Sequence, residues 1–137
     1  MSYKLSAKSK ERLLGINPVL IQIIEAAITD SPFDFGIPLD GGVRTTERQQ
    51  QLYAQGRTKS GSIITQVDGV KKRSIHQDGN AFDIYAFVDG KPTWDAKYYQ
   101  PIARHIQTVA LVKFGVKLEW GGDWKKFKDL PHFQINP

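Results

Sequence analysis

Apolar residues in this chain keep two different periods, and that mixture constrains the fold more than any other feature. Val19, Leu20, Ile23, Ile24, Ala27 and Ile28 recur at helical spacing, which predicts an amphipathic helix over about 18–29. Asn17-Pro18 supplies an N-cap and a proline at the first helical position, and Ser31-Pro32 ends the helix. A second stripe, Ile102, Ile106, Val109 and Ala110, predicts a helix from Asp95 to about Phe114 with Gly115 as its stop. Pro101 lets that helix begin as late as Gln100. A shorter helix is expected after Thr45 or Thr46, holding Leu52 and Tyr53 and stopping at Gly56. The remaining apolar runs are short and β-prone. Residues 33–43 form a short strand or turn region. Ala81 to Val88 closes on Asp89-Gly90, a hairpin signal, and Lys91 to Thr93 returns. Val116 to Trp120 and His132 to Ile135 read as further strands, with Gly121-Gly122 as a turn. Residues 57–73 read as a long exposed loop with a small hairpin at Asp68-Gly69. Helices first, then mostly strands with one helix packed on them, predict an α+β fold with an antiparallel sheet.

The chain has 137 residues, the size of one domain. It has no cysteine, which excludes disulfide scaffolds, thiol catalysis and thiolate metal sites. No run of 18 apolar residues exists, so membrane insertion is not expected. The N-terminus, Met1-Ser2-Tyr3-Lys4-Leu5, is polar and lacks the pattern of a signal peptide. Lys and Arg total 19 against 14 Asp and Glu, a net charge of +5 that suits an anionic partner without selecting one. Nucleic acid is not expected: no helix clusters base-reading residues and no strand carries an aromatic-basic motif.

The chemistry available centres on three histidines. His105 sits next to Ile106 on a predicted helix and reads as a helix-face histidine with a local hydrogen bond. His76 lies in a glycine-bearing loop, Ser74-Ile75-His76-Gln77-Asp78-Gly79-Asn80-Ala81-Phe82-Asp83, with an aspartate seven positions later at the start of a β-prone run. Loop-then-strand geometry can fold His76 and Asp83 onto one point. His132 follows in Asp129-Leu130-Pro131-His132. Two histidines and one carboxylate are a common three-ligand set for a catalytic zinc. The plainer alternative is a turn histidine, a solvent-facing aspartate and a rim histidine, because the spacing alone is loose. Asp129, three residues before His132, is a loop aspartate or a proton acceptor beside a metal site. Arg44, after Gly41-Gly42-Val43, is a surface arginine or a holder of substrate oxyanion. Trp120 and Trp124 flank Gly121-Gly122 and either line a cleft or pack at core and rim; Trp94 reads as packing.

Three blocks together give the sequence a resemblance. They are Ser74-x-His76-x-x-Gly79-x-Ala81-x-Asp83; Glu119-Trp120-Gly121-Gly122-Asp123-Trp124, then Phe127 and Asp129-x-Pro131-His132-Phe133-Gln134; and Gly42-Val43-Arg44-Thr45-Thr46-Glu47-Arg48-Gln49-Gln50-Gln51-Leu52-Tyr53, followed by Gly56-Arg57-Thr58. The chain resembles the zinc D-Ala-D-Ala carboxypeptidases and dipeptidases of the VanY/VanX type, and within them the phage endolysins that are L-alanyl-D-glutamate peptidases. The family places an acidic residue, commonly Glu, three before its last histidine ligand; here it is Asp129. The resemblance implies zinc bound by His76, Asp83 and His132, Asp129 as general base and Arg44 as electrostatic stabiliser. Ser74 is placed to hydrogen-bond a ligand or the substrate, and Trp120 and Trp124 are substrate-binding candidates. It implies a central antiparallel sheet with flanking helices, the Hedgehog/D-Ala-D-Ala carboxypeptidase-like zinc peptidase fold. The implied substrate is the peptidoglycan stem peptide, cut between L-Ala and D-Glu; a D-Ala-D-Ala carboxypeptidase with the same metal site is the alternative. A single catalytic domain over 1–137 is expected, without a wall-binding module, acting as a monomer. Single-domain endolysins are characteristic of phages of Gram-negative hosts, and such an enzyme is expected to be made in the host cytoplasm without a signal peptide and to act on the wall, in the periplasm, after release.

Overall fold

In the computed structural model of the chain, which describes residues 2–65, 67–126 and 128–136, the elements run in the order α1 (Ala7–Arg12), α2 (Pro18–Thr29), β1 (Asp34–Gly36), α3 (Thr46–Ala54), β2 (Ala81–Asp83), β3 (Tyr85–Val88), β4 (Lys91–Thr93), α4 (Ala96–Phe114), β5 (Glu119–Trp120) and β6 (His132–Gln134). Phe127 of the C-terminal sequence block lies outside the described residues.

The two apolar stripes read from the sequence pack against each other. Leu20, Ile23, Ile24 and Ala27 of α2 are buried with Ile102, Ala103, Ile106 and Ala110 of α4. A fully buried side chain of the Leu or Ile kind contributes about 1.5–3 kcal/mol. α2 starts where expected, with the Asn17 side chain accepting from the Val19 N–H at 3.1 Å. His105 is a helix-face residue as expected, but its hydrogen bond is not local: its Nε2 lies 2.8 Å from the Ala27 carbonyl and 3.0 Å from Asp30 Oδ1 at the C-terminus of α2. α4 begins at Ala96 rather than Gln100, because the Asp95 side chain caps the Lys97 N–H at 3.1 Å. Pro101 is exposed and removes one hydrogen bond close to the helix start, which the helix tolerates. α1 has no counterpart in the sequence reading. It is six residues long and mostly charged or polar, and Ser6 caps it through the Ser9 N–H.

The strands are antiparallel, as expected, but they form two three-stranded sheets, β1-β3-β4 and β2-β6-β5. The run from Ala81 to Val88 changes partner at Ile84, so its first half pairs with β6 and its second half with β1. The strand read from Val116 shrinks to Glu119–Trp120. The hairpin at Asp68-Gly69 is instead a side-chain turn, in which Asp68 Oδ1 accepts from the N–H groups of Val70 and Lys72.

The second sheet positions the chemistry. Its register pairs Phe82 with Phe133 and Trp120 with Phe133, so these three share the face turned to the core. Strand alternation puts Asp83, His132, Gln134 and Glu119 on the opposite face.

Candidate metal centre

Three separate pieces of backbone bring His76, Asp83 and His132 together. His76 sits on a single 3₁₀ turn, Ile75–Asp78, capped by Ser74: its Oγ accepts from the His76 N–H at 3.2 Å and its N–H donates to Gln77 Oε1 at 2.7 Å. Asp83 and His132 are cross-strand partners on β2 and β6. The Gly41-Gly42 segment clamps the first two: the Gly41 carbonyl accepts from the Asp83 N–H at 2.8 Å, and the Gly42 carbonyl accepts from His76 Nδ1 at 3.0 Å. Gly42 is needed there, since a Cβ would overlap the Arg12 carbonyl oxygen.

The three inward atoms form a small triangle. His76 Nε2 lies 3.1 Å from Asp83 Oδ1 and 3.2 Å from His132 Nδ1, and His132 Nδ1 lies 3.0 Å from Asp83 Oδ1. Each outer nitrogen is committed elsewhere. His76 Nδ1 donates to the Gly42 carbonyl, and His132 Nε2 donates to Gln134 Oε1 at 2.7 Å. In the neutral imidazoles both inner nitrogens are therefore lone pairs, aimed at each other and at a carboxylate. Such a cluster needs a positive charge at its centre, either a proton or a cation. Burial by itself would raise the Asp83 carboxyl, but the two imidazoles hold it well below the usual carboxylate range. Burial would lower His132, but Asp83 outweighs it and raises the imidazole above its ordinary value. The donor set suits a metal ion of zinc type, whose ligand atoms, at bonds of about 2.0–2.2 Å and tetrahedral angles, lie about 3.3 Å apart. The outer hydrogen bonds are those that orient ligating imidazoles.

Arg44 reaches this cluster from the loop before α3. Its Nη2 donates to Asp83 Oδ2 at 3.3 Å, its Nη1 to Gln49 Oε1 at 3.2 Å and its Nε to the Asp40 carbonyl at 3.0 Å. Among the described residues these bonds use three of its five N–H donors. Asp129 lies in the same charged neighbourhood, feeling Asp83, His132, His76 and Arg44. Burial first, and then the Asp83 charge, raises its carboxyl above the ordinary value. Its backbone is drawn in by Gly121, whose carbonyl accepts from the Asp129 N–H at 3.1 Å; a side chain at Gly121 would collide with the Asp129 carbonyl.

The two tryptophans part company. Trp124 is half-buried, with its ring centroid 5.3 Å from that of His132 and its indole N–H donating to Glu119 Oε2 at 2.9 Å. Trp120 is 4% exposed on the core face, with its indole N–H donating to the Leu130 carbonyl at 2.7 Å, so it lies beneath the site and does not line a cleft. Trp94 is exposed and stacks on Tyr99. Ser74 serves the His76 turn as its cap. Lys71, Lys72, Arg73, Lys125 and Lys126 are exposed.

Sequence reasoning missed the glutamines. Gln49 is fully buried; it accepts from Arg44 and donates to Thr65 Oγ1 and the Val67 carbonyl, tying the 57–73 loop to the arginine. Gln134 orients His132. Its position two residues beyond His132 in a β-prone run was a usable signal, because strand alternation puts both on one face.

Fold and site together define an α+β protein whose His76, Asp83 and His132 form a group that could hold a metal ion. The sequence profile of the family described as phage L-alanyl-D-glutamate peptidase matches residues 1–134. The chain belongs to that family and is a peptidase. It is 34% identical over 129 residues to the peptidoglycan L-alanyl-D-glutamate endopeptidase CwlK of Bacillus subtilis, covering 89% of this chain and 74% of that protein. It is 28% identical over 130 residues to the L-alanyl-D-glutamate peptidase of Escherichia phage T5, covering 94% and 87%. The crystal structure of the Serratia marcescens L-Ala D-Glu endopeptidase ChiX superposes with a TM-score of 0.79 at 32% identity, covering 98% of this chain and 91% of that one.

Proposed function

We propose that this peptidase cleaves the L-Ala–D-Glu bond of peptidoglycan stem peptides as a phage endolysin, with zinc held by His76, Asp83 and His132. The observation that carries this reading is the convergence of His76 Nε2, His132 Nδ1 and Asp83 Oδ1, with both outer ring nitrogens already engaged. Family membership supplies the bond. The phage T5 relative supports the endolysin role, and the exposed lysines and arginine suit an anionic wall.

When bound, zinc supplies Lewis acidity and makes a nucleophilic water available at neutral pH. Asp129 accepts the proton of the attacking water and delivers it to the nitrogen of the departing amine. In the metal-free protein, burial and then the Asp83 charge raise its carboxyl above the ordinary value. Arg44 offers its remaining N–H donors to the oxygen on which negative charge develops, while Asp83, Gln49 and Asp40 keep the guanidinium in place. Trp124 borders the site and contacts the peptide. Ser74 acts through the His76 turn that it caps.

The test is turbidity loss of outer-membrane-stripped Gram-negative walls with and without a chelator, followed by mass spectrometry of the released peptides. Chelator-sensitive lysis with new D-Glu N-termini is expected. Release of terminal D-Ala alone would overturn the choice of bond and move the chain to carboxypeptidase chemistry.

A further inference from the structure

Beyond the three inward-facing groups, a line of hydrogen bonds runs along the same sheet face and ends on a carboxylate that the mechanism does not use. His132 Nε2 meets Gln134 Oε1 at 2.7 Å. Gln134 Nε2 donates to Asn136 Oδ1 at 3.0 Å, and Asn136 Nδ2 donates to Glu119 Oε1 at 3.1 Å. The other oxygen, Glu119 Oε2, accepts the Trp124 indole N–H at 2.9 Å, and the Trp124 ring lies against His132. The β5–β6 register sets Glu119 directly opposite Gln134.

The direction of this line is fixed from one end. An ionised carboxylate only accepts, so Asn136 has to present its NH₂ to Glu119. Its oxygen then faces Gln134, which has to answer with its own NH₂. The Gln134 oxygen is left facing His132 Nε2, and that nitrogen has to carry the hydrogen. The lone pair then falls on Nδ1, the atom aimed at His76 and Asp83. Each amide alone could turn over at little cost; the carboxylate removes that freedom from both.

We infer that Glu119 is a positioning residue for the metal centre: through Asn136 and Gln134 it fixes the tautomer of His132, and through Trp124 it holds the ring beside it. This inference rests on the reading of His132 as a ligand. It differs from a purely structural role, in which Glu119 would only join β5 to the C-terminal segment.

Ring-nitrogen NMR of the metal-free protein at alkaline pH, paired with zinc affinity from chelator competition, tests it. Wild type is expected to show His132 as a single Nε2–H tautomer. Glu119→Gln, whose amide can face either way, is expected to give a tautomer mixture and a zinc affinity weaker by about 10–100-fold. The double variant Glu119→Gln/Gln134→Glu moves the carboxylate next to His132 and is expected to restore the single tautomer. Asn136→Ala, at an exposed position, cuts the same line without touching the sheet and gives a second reading. A Glu119→Gln protein with wild-type tautomer and zinc affinity would overturn the inference, even with a lowered Tm. A wild-type protein that binds no zinc would overturn the metal reading instead, and its ring spectra would still decide the part played by Glu119.

Discussion

His76 Nε2 and His132 Nδ1 face each other across 3.2 Å, and in their neutral forms neither carries a hydrogen to place between them. The outer nitrogens are spent on the Gly42 carbonyl and on Gln134, so turning either ring would break a buried hydrogen bond. Asp83 adds a third acceptor at 3.1 and 3.0 Å from the two nitrogens. A cation at that point relieves three repulsions at once. Zinc at about 100 times its Kd stabilises the folded state by about 2.7 kcal/mol. For a chain of 137 residues that is a rise in Tm of about 10 °C. Scanning calorimetry with chelator, and then with zinc restored, is expected to show this loss and recovery together with loss and recovery of wall lysis. Asp83→Ala is expected to abolish the zinc-dependent part of the shift.

Asp129 is held where its charge is unwelcome in the metal-free protein. Burial and then the Asp83 charge raise its carboxyl, so its folded-state pKa lies above the unfolded one. Its ionisation therefore costs stability as pH rises from the unfolded pKa through the folded one, and costs nothing below both. Asp129→Asn removes that cost. The metal-free variant is expected to melt higher than wild type at neutral pH, with the difference vanishing in acid. Its activity is expected to fall by about 100-fold or more, the usual contribution of a positioned base, while it still binds one zinc. Thermal melts across pH and a zinc titration check both halves; a variant that melts lower at neutral pH would contradict the first.

Trp120 and Trp124 occupy different places, one packed in the core and the other beside His132. Trp120 shares its face with Phe82 and Phe133 and is 4% exposed, so Trp120→Ala is expected to cost about 3–5 kcal/mol of stability. Trp124 is half-buried beside His132. Trp124→Phe keeps the ring but loses the hydrogen bond to Glu119, and it is expected to lower kcat/KM with a smaller change in denaturation midpoint. Urea denaturation and wall-lysis kinetics on both variants decide the assignment.

The different fates of these two tryptophans show what the sequence made legible. Spacing and cap residues revealed α2 and α4, because a helix repeats its apolar face over several turns. The His76, Asp83 and His132 set was readable as chemistry, but its closure depends on Gly42 lying against the Arg12 carbonyl, a contact between segments 30 residues apart in the chain. Strand alternation from His132 would have placed Gln134 on the site face and Phe133 in the core, but the sequence reading did not apply it. The same rule puts Glu119 and Trp120 on opposite faces of the expected strand, but which of the two faces the site follows only from the pairing of β5 with β6. Gln49 stood in a run of three glutamines, and only packing against Arg44 and the 57–73 loop selects the one that turns inward. The division into two sheets at Ile84 follows from partner choice, which the run from Ala81 to Val88 does not encode on its own.

The loop that presents Arg44 carries its own acid-sensitive tie. Both oxygens of Asp40 accept from Arg48, at 2.9 and 2.8 Å from Nε and Nη2. The Arg48 hydrogen bonds, against a smaller opposing effect of burial, hold the Asp40 carboxyl below its ordinary value. A carboxyl depressed in the folded state adds stability that is full above the unfolded pKa and is lost as pH falls through the folded one. The pair is partly solvent-exposed, at 22% and 41% for the two side chains, so its contribution is the screened one of about 1 kcal/mol. Asp40→Asn keeps a residue that tolerates the positive φ of 66° at this position while removing the charge. It is expected to lower Tm by about 3–4 °C at neutral pH. The gap should narrow in high salt and close as the pH drops below the range in which ordinary aspartates titrate. Melts of the two proteins from neutral to strongly acid pH, at two ionic strengths, measure it; a gap that persists undiminished in acid would assign the loss to backbone strain rather than to the ion pair.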